Sequence, residues 1–548
     1  MLRPQFPLLK KGRVSMSKQN SAFQSVGFPA SEPPGRPRSP LHVANVEGRT
    51  FTPGRRARGD TPCLRPAKGR TARFESSGNP PGTKERDSLF AWLMGLLIAA
   101  CVHTAAAEMN GETPILANLS FEQLSQIQVT SVSKREEKLS EVAAAVYVIT
   151  GEDIRRSGVT SIPEALRLAP GMQVARVGSA SWAIDTRGQL SPFADRMLVM
   201  MDGRSVYDPF FSGVYWDTQD YLLADIDRIE VIRGPGVTIW GANAVNGVVN
   251  VISKSARDTQ GWLVTSGGGT EERGFGAARY GFKLSDNAFL RVYGKYDAHD
   301  DLLTTTGADA EDHWNAWRGG FRTDWEPSIQ NQFTLQGDFN VNSYQHTTFF
   351  PTVVPPYERP VSGRTRAGGG NMLGRWTHAF SDDSELVVQT YWDRTHRDEL
   401  SYNSTTDTFD LDANHHFMLG DRNTVTWGAG YREIHDMFRD QVPEFIVTPA
   451  AETLRLFSLF LQDELKLVPD KLSLTAGAKF EHNDFSGWEI EPTARLLWKA
   501  TERQTVWAAV TRAVRSPNRS DNSLHIQFQA VPPGALGFNT VPALFQAA

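Results

Sequence analysis

Residues 225–254 read DIDRIEVIRGPGVTIWGANAVNGVVNVISK. A strand from Arg228 to Ile232 runs into a turn of Arg233, Gly234, Pro235 and Gly236. A second glycine-rich bend spans Trp240, Gly241, Ala242 and Asn243, and an apolar strand from Val248 to Ile252 closes the stretch. Glycine in such bends supplies backbone with positive φ and lets main chains approach closely. By itself this is a turn-rich pair of strands in a small mixed domain. The sequence on either side says what kind of molecule contains it.

Downstream the pattern becomes monotonous. In Lys471 to Glu481, Leu472, Leu474, Ala476, Ala478 and Phe480 alternate with Ser473, Thr475, Gly477, Lys479 and Glu481. The same period of two recurs at Leu290 to Tyr296, Phe333 to Phe339, Leu386 to Trp392 and Val425 to Tyr431. Strands with one apolar and one polar face, charges included, suit a wall between lipid and a wet lumen. Tight polar turns (Leu284 to Asn287, Glu326 to Gln330, Ser381 to Ser384, Asp421 to Asn423) alternate with long connections (Ala298 to His313, Val341 to Gly368, His396 to Thr405, His435 to Thr453). That asymmetry is the one expected of periplasmic turns and external loops.

Upstream, Ala145 to Ile149 reads as a strand. Thr150 and Asp153 then begin one short helix, and Ser161 with Glu164 forms a capping-box pattern for a second, stopped by Pro170-Gly171. Strands at Met172 to Val177 and Met197 to Met201 follow, and an aromatic loop, YDPFFSGVYW, spans Tyr207 to Trp216.

Taken together, the IRGP segment and the GANAVNGVVNVI segment resemble the end of the plug domain of TonB-dependent outer-membrane receptors. The run from Lys479 to Asn518 is similar to one branch of the same family. The expected fold is therefore an α+β plug followed by an antiparallel transmembrane β-barrel. The expected boundaries are a basic extension (1–87), a signal peptide (88–107), a coupling linker (108–137), a plug (138–256) and a barrel portion (257–548).

The resemblance implies site residues. Gln128, Val129, Thr130, Ser131 and Val132 match the segment captured by a periplasmic TonB-type energy-coupling protein, and an extended, unpaired stretch suits β-strand addition. Arg187 and Arg233 match plug arginines that pair with wall acids, a pairing that spares a buried guanidinium the cost of standing alone; Glu464 and Glu481 are the acids nominated. Gly234, Pro235, Gly241, Asn243, Gly247 and Asn250 are the structural motif. Ser181, Trp182, Tyr207, Phe210, Phe211, Tyr215 and Trp216 on the plug are ligand-binding candidates, as are His346, Phe349, Phe350 and Tyr357 in the longest connection, where aromatic rings suit stacking on a chelate. A ferric siderophore is the expected ligand, with cobalamin the alternative.

The ends of the chain have their own character. Residues 1–86 carry 17 basic and 5 acidic groups and 12 of the 31 prolines, whereas the remainder carries 40 basic and 57 acidic groups. The basic part lacks apolar periodicity and is expected to lie outside any packed domain, as a misassigned start. Leu89 to Val102 has the length and flanks of a signal-peptide core, with cleavage expected after Ala107. The only cysteines, Cys63 and Cys101, would then be removed, excluding disulfides and thiolate metal sites. About thirteen strands fit between Gly261 and Arg512, against 22 in plugged outer-membrane transporters, so a fragment of a barrel is expected.

No catalytic triad, phosphate loop or metal-ligand spacing stands out. Gly267-Gly268-Gly269 begins a connection without a following helix, and His415-His416 reads as part of a strand. No cofactor, metal, nucleic-acid partner or enzymatic activity is expected. The rival readings are a secreted β-rich binding protein, which would be soluble without detergent, and a passive porin, which would leave the plug and linker unexplained. A surface-sugar hydrolase would need paired acids across a cleft.

Overall fold

The computed structural model describes residues 127–188, 190–234, 238–501, 504–533, 535, 541 and 543–547. The basic extension, the expected signal peptide, the first part of the linker and Pro235 lie outside the described residues.

The stretch quoted above forms the centre of the plug. Its strands are β1 (Gln128–Val129), β2 (Glu137–Lys138), β3 (Ala145–Thr150), β4 (Met172–Gly178), β5 (Ser181–Thr186), β6 (Met197–Met201), β7 (Arg204–Ser205), β8 (Ile226–Arg233) and β9 (Gly247–Ser253). Five of these make a sheet in the order β3-β8-β9-β6-β7, with only β6 and β9 parallel. All five residues of β6 are buried, because both faces of this sheet are covered. Continuous apolar runs follow from that, in place of alternation.

On one face Ile229, Val231, Val249 and Val251 pack against Ile154, Ile162 and Leu166. These come from helix α1 (Gly151–Ser157), from helix α2 (Ile162–Ala165) and from the turn after α2. On the other face Ile232, Val248, Leu198 and Met200 meet Val129 and Val132 of the linker and Phe460 of the wall. Helix α1 has the expected capping box: Asp153 N donates to Thr150 Oγ1 at 3.1 Å, and Thr150 N to the Asp153 carboxylate at 3.0 Å. The box expected at Ser161 is not formed. Glu164 instead accepts from the Trp182 indole at 2.9 Å and pairs with Arg167.

The wall is one antiparallel sheet of thirteen strands, from Gly261–Gly267 to Gln504–Thr511, matching the count read from the alternation. Among the described residues no pairing joins the first strand to the last. Its pattern is inverted relative to a soluble sheet: Arg291, Arg318, Gln336, Arg397, Glu481 and Arg495 are buried inward, whereas Trp317, Phe339, Trp392, Phe409, Leu461 and Ile490 are exposed outward. That is how a strand between lipid and a filled lumen must be built.

One expectation about the connections is corrected. The longest connection is largely strand: Asn331–Pro351 and Glu358–Ser381 pair up to Pro351 and Glu358, leaving only 352–357 as a turn. Continuing the ladder satisfies backbone groups that a loop would have to hand to water. Leu524–Val531 is a strand but not part of the wall. It lies between Phe445–Val447 and Ala543–Ala547 in a separate three-stranded sheet.

Candidate functional site

The site is the interface of plug and wall, which has two ends. At the end bearing the short turns lies the linker. Gln128–Val129 pairs with Glu137–Lys138, so residues 128–132 are not the unpaired strand expected. Val129, Ser131 and Val132 are buried, whereas Gln128 is exposed. Three side chains hold the stretch. Glu230 accepts from the backbone N–H of Thr130 at 3.0 Å and of Ser131 at 2.8 Å. Trp240 donates to the Ser131 carbonyl at 2.5 Å, and Asn250 to Ser131 Oγ at 3.0 Å. Just beyond it, Lys134 pairs with wall residue Asp412 at 2.8 Å and Arg135 with Glu464 at 2.6 Å.

Those pairs correct the arginine assignment. Glu464 is taken by Arg135, Glu481 lies 3.5 Å from its strand neighbour Lys479, and Arg233 donates to the Pro170 carbonyl at 2.9 Å. Among the described residues Arg187 makes no ion pair and lies against Gly234. The reason is the alternation of β8: Arg233 shares the helix-covered face with Ile229 and Val231. The wall strand carrying Glu464 packs through Phe460 on the opposite face.

Elsewhere the sign of the interface is mostly reversed, with plug acids meeting wall bases. Asp225 pairs with Arg279 at 2.7 Å, Asp220 with Lys295, and Asp217 with Arg397 at 3.1 Å. Arg204 to Asp393 runs the other way. The acids of DTQDYLLADID were visible in sequence, as were the wall bases on inward positions. No local pattern said that they meet.

At the end bearing the long connections, the aromatic plug loop is packed away. Phe210 and Phe211 cluster with Tyr402, Phe438 and Val447, and the Tyr215 and Tyr402 hydroxyls are 3.2 Å apart. Trp182 and Trp216 are core residues. Phe350 is buried beneath Arg359, and His346 lies 3.3 Å from the Thr365 hydroxyl. Tyr357 occupies the hairpin turn, its N–H donating to the Val354 carbonyl at 2.8 Å. Of the ligand candidates, only Ser181 and Phe349 are exposed, and Tyr207 lines a cavity. Aromatic residues in a loop carry no signal that separates recognition from packing.

That cavity, of about 430 Å³, runs between plug and wall. Thr130, Lys134 and Trp240 line it at the linker end, Asp202, Arg228 and Asn250 along the sheet, and Asp484, Phe485 and Ser516 at the far end.

Burial pushes the Asp208 carboxyl in the plug loop up to about 6, although the Phe210 N–H donates to it at 2.9 Å. A carboxyl raised on folding favours the folded loop while protonated, so its stabilisation is present near pH 4 and lost as pH rises through 6. The rise to about 6 corresponds to roughly 3 kcal/mol. The protection factor of the Ser212 amide, which donates to the Asp208 carbonyl at 2.8 Å, is expected to fall over that range. In Asp208→Asn the slope should vanish, and a slope unchanged by the substitution would assign it elsewhere.

A wall with apolar exterior and polar interior, its lumen occupied by an α+β domain, defines a plugged β-barrel of the outer-membrane type. The TonB-dependent receptor plug domain matches residues 138–248 and the TonB-dependent receptor-like β-barrel matches residues 246–543, more than half the chain. The chain belongs to the TonB-dependent receptors.

Among similar proteins, a ferric enterobactin receptor of Pseudomonas aeruginosa is 23% identical over 507 residues, covering 78% of this chain and 65% of the relative. A vitamin B12 transporter of Vibrio cholerae is 32% identical over 148 residues, covering 26% of this chain and 23% of the relative. Solved structures share the fold. A mutant of the ferric enterobactin receptor from Pseudomonas aeruginosa gives a TM-score of 0.56 at 20% identity, covering 69% of this chain and 62% of the other. A siderophore receptor from Acinetobacter baumannii gives 0.56 at 18%, covering 74% and 66%. The chain spans less than two thirds of the length of each of these relatives.

Proposed function

We propose that the protein works in the outer membrane as an energised uptake receptor. A scarce external ligand, most simply a ferric siderophore, binds at the end bearing the long connections. A TonB-type protein in the periplasm then pulls on Gln128 to Val132 to open a path past the plug. The observation that carries this reading is the linker docked at one end of a cavity whose lining continues to the other end. The protein performs no chemistry on its cargo in this scheme. The plug filling the lumen also argues against a passive porin, which would conduct without energisation.

The siderophore assignment draws on the ferric enterobactin receptor among the relatives. Cobalamin is the second reading, favoured by the higher identity of the shorter match to a vitamin B12 transporter. Outer membranes from cells producing the chain are expected to bind ferric enterobactin, to accumulate it only when energised, and to contain more of the protein under iron starvation. Binding of cyanocobalamin alone, with induction by cobalamin depletion, would replace the siderophore reading. Uptake that persists without energisation would remove the TonB-type partner.

A further inference from the structure

We propose that Glu230 is the latch that keeps the linker docked, so that strand β8 decides whether residues 128–132 can be offered to a partner. The docking itself is independent of the uptake reading; only the identity of the partner rests on it.

Glu230 sits between Ile229 and Val231 in the middle of the plug sheet and is fully buried. A carboxylate there is out of keeping with its strand, whose other buried positions are aliphatic. It persists only if donors surround it, because a buried ionised group without partners is costly. Its donors come from two places. Arg228 Nε lies 2.9 Å from Oε1. All the rest belong to the linker: Thr130 N at 3.0 and 3.1 Å from the two oxygens, Thr130 Oγ1 at 3.3 Å, and Ser131 N at 2.8 Å. Hydrogen bonds from backbone amides to an ionised acceptor are stronger than neutral ones. Trp240 and Asn250 hold the opposite side of Ser131, so that residue is gripped through its N–H, carbonyl and hydroxyl together.

The surroundings make this grip reversible. Thr130, Arg228, Trp240 and Asn250 all line the cavity. When the linker leaves, Glu230 keeps Arg228, and the adjoining space admits water to replace the two amides. A carboxylate sealed in an apolar core would have no such second state. The latch therefore has two satisfied arrangements, one with the linker and one with solvent, as a switching segment requires.

Amide hydrogen exchange on the full chain in lipid nanodiscs tests this without any ligand or partner. In Glu230→Gln, which keeps the shape but replaces one acceptor oxygen by a donor, exchange at Thr130 and Ser131 is expected to rise at least tenfold. In Glu230→Asp, which keeps the charge but withdraws it by one methylene, the same amides should be released. The amides of Val231, Val249 and Val251 should stay protected in both variants. Unchanged exchange at Thr130 and Ser131 would overturn the proposal. So would equal loosening of β8 and β9, because Glu230 would then be a structural residue of the sheet.

If neither variant folds, Ser131→Pro removes the closest donor with Glu230 in place. Faster exchange at Thr130 then supports the latch, and retained protection there refutes it. Binding of a TonB-type C-terminal domain to the released linker is read separately. Release without such binding would leave the latch standing and count against the uptake reading.

Discussion

Arg397→Ala is expected to cost about 3–5 kcal/mol, because it strands buried charges on both sides of the plug–wall interface. The Arg397 guanidinium donates to both oxygens of Asp217 at 3.2 and 3.1 Å, to Glu399 at 2.9 Å and to the Tyr344 hydroxyl at 2.6 Å, and lies 3.8 Å from the centre of the Tyr215 ring. It thus ties the plug to the wall near the end bearing the long connections. Removing it leaves Asp217 and Glu399 without their cation in a site water reaches poorly. Urea titration of the purified protein, followed through protease sensitivity of the plug, is the measurement. Adding Asp217→Asn should recover part of the loss, since one stranded charge is then removed. Arg397→Lys should not, because an ammonium lacks the planar fork that serves several acceptors at once. A plug as resistant in Arg397→Ala as in the parent chain would mean that this cluster does not hold it.

Gly247→Ala is expected to be comparably severe by a different route. A Cβ at Gly247 would fall 2.2 Å from the Ile232 carbonyl oxygen, a backbone atom of the adjacent strand. Gly247 lies opposite Arg233 on one side and Met197 on the other, in the central strand of the plug sheet. No side chain can rotate out of the way, so β8 and β9 must part. The loss is about 3 kcal/mol or more, since overpacking here also breaks ladder hydrogen bonds. The wall does not depend on this contact. Limited proteolysis should therefore degrade the plug of Gly247→Ala while sparing the barrel strands, and an undamaged plug would refute the close approach. Together with the pH response of Asp208, these variants separate three contributions: charge pairing across the lumen, backbone fit inside the plug, and burial at its apex.

Much of this architecture was legible because it is written in local pattern. Period-two alternation placed the wall strands, and their inward charges and outward aromatics follow from it residue by residue. The strand at Arg228 to Ile232 and the one at Val248 to Ile252 pair as expected, lengthened slightly at each end. Thr150 with Asp153 capped its helix. Ser161 with Glu164 did not, because Glu164 found Arg167 and Trp182, which are not visible as partners from the capping pattern. Strand ends failed for a similar reason: Asn342 to Pro351 looks like a polar loop, yet it pairs with Glu358 to Ala367 beyond the apolar band.

By itself, the sequence determined the α+β plug, the alternating wall and the family, since each rests on spacing within a few tens of residues. The tertiary structure alone decided who meets whom across the lumen. It brought Asp217 to Arg397, Lys134 to Asp412 and Ser131 to Glu230, and it packed Phe210 and Phe211 under the long connections. Alternation states that a residue points inward, but not which plug residue faces it. That depends on how the plug is rotated within the wall, which the burial of every charge and ring settles together.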